Sequence, residues 1–331
     1  MNNKPFLLKP VGKDYLWGGN RLKDDFCKNI DMSPLAETWE CSTHEDGTSI
    51  IDSGIHKGKN LKEVLKKHPE YIGKHPISKD GNLPILIKFI DAKKDLSVQV
   101  HPDDEYAYKY ENGSLGKTEV WYVLDAKPNS KIIYGFHRDI SKEELLAALE
   151  DGSIEDSLQF IDAKKNDVFF IEAGTVHAIG EGLLIAEIQE SSNLTYRLYD
   201  YNRIDKNGKK RELHIDKALE VSNLKDSSTP KQPIRVLKYK PGCASELLAR
   251  CKYFQVERLL INTERFKDQD YIFKTSDNSF EVLMCIDGCG TMFDEDDKQF
   301  LKFYKGDTIF VPANSCNIKI HGFTQLLKVN C

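Results

Sequence analysis

The sequence predicts a mainly β protein made of two copies of one β-barrel unit with a few inserted helices, on three observations. Most of the chain reads as short runs rich in β-branched and aromatic residues, separated by Gly, Asn and Asp turns. Capped helical patterns are few. One stretch also recurs: residues 167–177 (DVFFIEAGTVH) lie on residues 307–317 (DTIFVPANSCN), and the strands EVWYVLDA from Glu119 and EVLMCIDG from Glu281 precede them. Glu119 and His177 are 58 positions apart, whereas Glu281 and Asn317 are 36 apart. The 22 additional positions fall where a helix from Ser141 is expected, so that helix reads as an insertion.

Strands are expected at 83–90, 96–101, 119–124, 167–173 and 183–189. A helix begins at Asn60, whose side chain can cap it, with Glu63 three residues on and Leu61, Val64 and Leu65 on one face; Pro69 and Gly73 stop it. A second runs from Ser141 to Gly152, with a Ser141–Glu144 capping box and a terminal glycine. The stretch 222–235, rich in Ser, Lys and Pro, reads as a linker, which gives domains at 1–230 and 231–331.

At 331 residues the chain can bury two cores. A net charge of -5 gives no reason to expect nucleic acid or an anionic membrane, so an anionic ligand would need a local cluster of cations. The first residues lack the pattern of a secretory signal and no run of about 18 apolar residues occurs, so a cytoplasmic location is expected. The eight cysteines include no C-x-x-C pair, and reduced thiols are expected.

Four side chains could converge on a metal. Gln99 and His101 are two apart on a strand and share a face, Glu119 opens a later strand, and His177 follows another. Two imidazoles, a carboxylate and an amide oxygen suit Zn²⁺, though Mn²⁺, Fe²⁺ or Co²⁺ could use the same set. Singly, each residue is equally an ordinary strand or turn polar group. The second copy has Asn317 in place of His177, and the sequence offset puts Ile261 and Thr263 in place of Gln99 and His101, so one metal site is expected, in the first copy. Lys117 precedes Glu119 by two residues. Arg197 lies in the aromatic segment from Tyr196 to Arg203, where it can either grip an anion or stack on tyrosines and pair with Asp200. Arg203 is assigned to structure and Arg21 to the solvated surface. Asp103 and Asp104 either orient His101 or solvate the strand end, and Trp17 and Trp39 go to the core.

The order Gln99-x-His101-Pro102-Asp103, Lys117-x-Glu119, Gly174-x-x-His177-Ala178, then Glu187 ten residues before Arg197, resembles the type I mannose-6-phosphate isomerases in their short bacterial form. Trp17-Gly18-Gly19 and the segment from Glu37 to Ser42 are similar to that family too. The resemblance implies two cupin-type (jelly-roll) β-barrels and one Zn²⁺ per chain on Gln99, His101, Glu119 and His177. It also implies a small phosphorylated sugar as substrate, in a chain that is a monomer or homodimer. The reaction implied exchanges mannose 6-phosphate and fructose 6-phosphate by moving a proton between C1 and C2 through an enediol. Arg197 and Lys117 match the functional cations, and Glu187, His101 and Lys117 are the candidate bases. Two readings compete: a metal-dependent cupin dioxygenase and a non-catalytic sugar-phosphate-binding cupin.

Overall fold

A computed structural model describes residues 3–74, 80–204, 208–227, 235–264 and 270–331; His75 and half of the expected linker, 228–234, lie outside them. Both expected helices form. In Leu61–Lys67 the Asn60 side chain accepts from Glu63 N, and Leu61, Val64 and Leu65 are buried. Lys142–Asp151 has both halves of its capping box, with Gly152 left-handed at its end. Three helices were not expected, at Arg21–Asp24, Asp104–Tyr110 and Ile215–Val221. Asp103 caps the second of these by accepting from Tyr106 N, which is its role in place of orienting His101. The eight cysteines are free thiols, and no helix among the described residues is long and apolar enough to cross a membrane.

The expectation of closed barrels is corrected. Among the described residues the sheets resemble jelly-roll halves, but every one is an open path. A six-stranded sheet runs Val168–Ile171, Glu119–Ala126, Leu183–Glu190, Ile85–Asp91, Glu37–Cys41, Val11–Lys13. A five-stranded sheet faces it in the order Leu158–Asp162, Lys131–Phe136, His177–Ile179, Val98–Val100, Tyr196–Tyr199. A ten-stranded sheet holds the C-terminal strands together with Phe6–Lys9 and Ile50–Ile51. One physical reason is visible in the pairing. The free edge of Thr308–Val311 is taken by Phe6–Leu8 from the start of the chain, so its hydrogen bonds are satisfied without closure.

The internal repeat survives to the level of register. Glu119 pairs with Ile171 and Tyr122 with Val168; in the second copy Glu281 pairs with Val311 and Met284 with Thr308. The next strand follows suit, with Glu187 opposite Trp121 and Lys328 opposite Leu283. One strand further on, Lys88 stands opposite Glu187, and Glu257 opposite Lys328. Each copy thus carries one cross-strand ion pair at the same place with its polarity reversed: Lys88–Glu187 at 2.8 Å and Lys328–Glu257 at 2.7 Å. Tyr271–Phe273 pairs with Ile318–Ile320 as the Gln99 strand pairs with His177. That register carries Gln99 and His101 onto Lys274 and Ser276, not onto Ile261 and Thr263, because the strand with the latter is the counterpart of Ile85–Asp91.

The largest core lies between the six- and ten-stranded sheets, with Phe89, Val120, Tyr122, Ile188, Val282, Phe310 and Val329 buried together. A buried polar knot crosses it. Lys28 Nζ lies 2.7 Å from Glu40 Oε2 and also donates to Gly306 O, while Thr38 and Thr308 donate to the two Glu40 oxygens. Arg21 is not a solvated charge: its Nε holds Asp91 at 2.7 Å and its Nη2 donates to Leu183 O. A second core, of Ile90, Trp121, Val123, Ile132, Phe169 and Ile179, fills part of the space between the six- and five-stranded sheets. The remainder of that space is the cleft.

Candidate active site

Strand register assembles the site from two facing rows. Across the five-stranded sheet Arg197, Gln99 and His177 are neighbours. Across the six-stranded sheet Lys88, Glu187 and Trp121 are neighbours, and Glu119 lies two positions along the same strand as Trp121, on the same face. His101 follows Val100 at the end of its strand, with its backbone oxygen accepting from Gly174 N. His101, Glu119 and His177 bring one ligand atom each within 4.8 Å of one another, all three fully buried, and form the one such group among the described residues.

These side chains fit a divalent ion. His177 Nδ1 donates to Thr175 O at 2.7 Å, which leaves the Nε2 lone pair facing the cluster. Burial, then the Lys117 ammonium, pushes the His101 imidazole down to about 3, and burial likewise lowers His177, so both rings are neutral ligands at pH 7. Burial alone would raise the Glu119 carboxyl, but Lys117, His101 and His177 together outweigh it and hold the group well below the usual carboxylate range. Glu119 Oε2 accepts from Trp121 Nε1 at 3.0 Å. Lys117 Nζ sits 2.7 Å from Glu119 Oε1, yet no donor is aligned on that oxygen, so it has a charge beside it and a lone pair free. The ammonium is also 3.1 Å from His101 Nε2, and so stands where a cation between imidazole and carboxylate would. The Gln99 amide lies 3.5 Å from His177 Nε2, and a half turn of it presents its oxygen to the same point.

The cleft beside this cluster has a volume of about 290 Å³, at the small end of ligand pockets. Gln99, Lys117, Glu187 and Arg197 all line it. Glu187 is locked by Lys88 Nζ on one oxygen and Trp121 Nε1 on the other, and burial, then Glu119, raises its carboxyl above the usual range. Arg197 has no carboxylate partner among the described residues: its Nε donates to Ser97 Oγ and its Nη1 to Glu212 O. Asp200 pairs instead with Arg203 and Arg211, so it is not the ion-pair partner of Arg197.

Sequence reasoning missed Lys88, Glu37 and Arg211 in the lining, and Trp17, assigned to the core, is both buried and at the cleft wall. Lys88 had a signal, a lone lysine inside the apolar run Ile85–Asp91, since a buried strand tolerates such a charge only with a partner. Glu190, also unnoticed, accepts from Thr118 N at 2.9 Å. Burial, then the Asp104 carboxyl, raises it from 4.5 to about 8. A carboxyl that ionises less readily folded than unfolded weakens the fold as pH rises between those two values. Glu190→Gln keeps the group neutral, so its stability relative to the parent is expected to increase from about pH 5 to pH 8. Urea denaturation at both values tests this, and a pH-independent difference would show that Glu190 ionises freely.

The chain matches the model of the phosphomannose isomerase type I catalytic domain at residues 6–115 and that of the mannose-6-phosphate isomerase cupin domain at 245–331. Mannose-6-phosphate isomerase ManA of Bacillus subtilis is 37% identical over 328 residues, covering 99% of both chains. The probable mannose-6-phosphate isomerase GmuF of the same organism is 46% identical over 218 residues, 66% of this chain and 68% of its own. The crystal structure of a Bacillus subtilis mannose 6-phosphate isomerase superposes with a TM-score of 0.89 at 36% identity, over 98% of this chain and 99% of that one. A phosphomannose isomerase from Salmonella typhimurium shares the fold, with a TM-score of 0.74 at 16% identity. Identity along the whole length joins a buried metal-binding triad at the floor of a cationic cleft, and the chain belongs to the type I mannose-6-phosphate isomerase family, as an isomerase of phosphorylated sugars.

Proposed function

We propose that this chain interconverts D-mannose 6-phosphate and D-fructose 6-phosphate, with Gln99 joining His101, Glu119 and His177 around one Zn²⁺. The observation that carries this reading is the row Arg197–Gln99–His177, which puts an uncompensated guanidinium one strand from the ligand set. A divalent ion held by these residues would supply positive charge to stabilise the enediol's developing oxyanion. Arg197 holds the substrate's negative charge in a fixed orientation with a planar fork of donors. Lys117, buried beside His101 and Glu119, adds a second positive charge at the reacting end. Glu187 moves the proton between C1 and C2: burial raises its carboxyl, which makes it a stronger base than an ordinary carboxylate, and Lys88 and Trp121 keep it from rotating away. This reading includes a cytoplasmic enzyme, monomer or homodimer, divided near residue 230 into a metal-bearing domain and a metal-free one.

A coupled assay for fructose 6-phosphate, run before and after chelation and with Zn²⁺ restored, tests the reaction. Turnover lost on chelation and regained with zinc is the expected result; a metal-loaded protein that binds the sugar phosphate without exchanging its C2 proton would refute it. Arg197→Ala is expected to lower kcat/KM by about 10²-fold or more, the scale of one lost charge-stabilising donor. Arg197→Lys should recover little, since an ammonium lacks the fork. Activity of Arg197→Ala within threefold of the parent would remove Arg197 from this role.

A further inference from the structure

Among the described residues the second half of the chain has no ligand set of its own, yet one of its side chains reaches the segment that carries Lys117. Three successive amides of that segment each have one fixed acceptor. Gly116 N donates to Asp104 Oδ1 at 3.1 Å, Lys117 N to Pro102 O at 3.0 Å, and Thr118 N to Glu190 Oε1 at 2.9 Å. Glu190 N returns a bond to Thr118 O at 3.2 Å. The backbone is also too close to slide: a Cβ on Gly116 would lie 2.5 Å from Asp103 C and Asp104 N.

Asp104 is one of the places where the two halves meet. Its Oδ2 accepts from Tyr253 OH at 2.7 Å and lies 3.1 Å from Lys252 Nζ, both in the turn between Cys243–Arg250 and Gln255–Asn262. Asp104 also begins the helix that starts three residues after His101, so one carboxylate is tied to both the His101 loop and the Lys117 segment. Glu190 and Asp104 are hydrogen-bonded carboxyls.

We propose that Tyr253, acting through Asp104 and Glu190, is a positioning residue for the isomerase site that fixes the backbone at 116–118 and so holds Lys117 against His101 and Glu119. The metal-free half thereby has a task in the reaction other than burying apolar surface. Protonation supports the geometry. Glu190 keeps its proton up to about 8, so at neutral pH it donates to Asp104 while accepting from Thr118. Burial would raise Asp104, but the hydrogen bonds from Tyr253, Lys252, the Gly116 amide and Glu190 together outweigh it and hold that carboxyl below its usual value. Lys252 is mostly exposed, so its charge adds little and the tyrosine hydroxyl is the anchor.

The proposal takes Lys117 to belong to the site, and its test has one arm that needs neither substrate nor metal. In metal-free protein, hydrogen exchange at 116–118 is expected to be tenfold faster or more in Tyr253→Phe than in the parent, with exchange across 281–293 unchanged. In zinc-loaded protein the same variant, shown by circular dichroism to be as fully folded as the parent, should lose about tenfold in kcat with KM within twofold, the pattern of an interaction made only in the transition state. Glu190→Gln, which mimics the protonated carboxyl, should match the parent in both measurements, and Glu190→Ala should match Tyr253→Phe. Unchanged exchange at 116–118, acceleration by one factor throughout the protein, or an equal effect from Lys252→Ala would each overturn the proposal. Absence of turnover on mannose 6-phosphate would count against the substrate assignment alone, because the exchange arm stands without it.

Discussion

His177→Ala is expected to leave the protein without its metal and to lower kcat/KM by on the order of 10³-fold or more, since one lost oxyanion-stabilising donor already costs about 10²–10³. The size follows from how the site is built. His177 is fully buried, its Nδ1 is committed to Thr175 O, and its Nε2 faces Glu119, His101 and the Gln99 amide. Removing the ring leaves Glu119, Lys117 and His101 in place, so the cluster keeps its charge and loses its ligand geometry. Metal content by elemental analysis and steady-state kinetics on the same sample make the check. A variant that retained one metal per chain and activity within tenfold would exclude His177 as a ligand.

The largest loss of stability is expected from Phe310→Ala, about 3–5 kcal/mol, the range for deleting a buried aromatic ring. Phe310 is fully buried between Phe6, at 5.3 Å, and Phe280, at 5.1 Å, both stacked on it. Its strand is the one whose free edge Phe6–Leu8 occupies, so the cavity would open where the start of the chain joins the C-terminal sheet. Phe310→Leu should lose less than half as much, because it fills part of that volume. Chemical denaturation of the three proteins decides this; a loss below about 1.5 kcal/mol for Phe310→Ala would mean that the three rings close up around the gap.

Legibility from sequence followed the range of the forces involved. The helix at Lys142–Asp151 was read with its cap and its stop because both are decided by residues three positions apart. The helix at Asp104–Tyr110 escaped, since Tyr106, Tyr108 and Tyr110 alternate as a strand would and Asp103 next to His101 invited a reading as a partner of the imidazole. Tertiary context won there: Tyr106 donates to Glu220 and Asp104 is held by Tyr253, contacts more than 100 positions apart in the chain. Arg21 was misread for the same reason, as its partners Asp91 and Leu183 are remote in sequence.

The sequence by itself determined the strands expected between 83 and 189, the two capped helices and the internal repeat, because periodicity and capping are properties of neighbouring residues, and it named the three metal-binding side chains by their ligand chemistry. Only the tertiary structure decided that, among the described residues, the sheets stay open and Arg197 lacks a carboxylate while Asp200 binds two other arginines. It alone put Lys88 against Glu187 and joined the second half to the Lys117 segment through Tyr253. Those outcomes depend on which edges, charges and buried donors meet across long stretches of chain. A buried polar group is bound to find a partner, but no local pattern names which one.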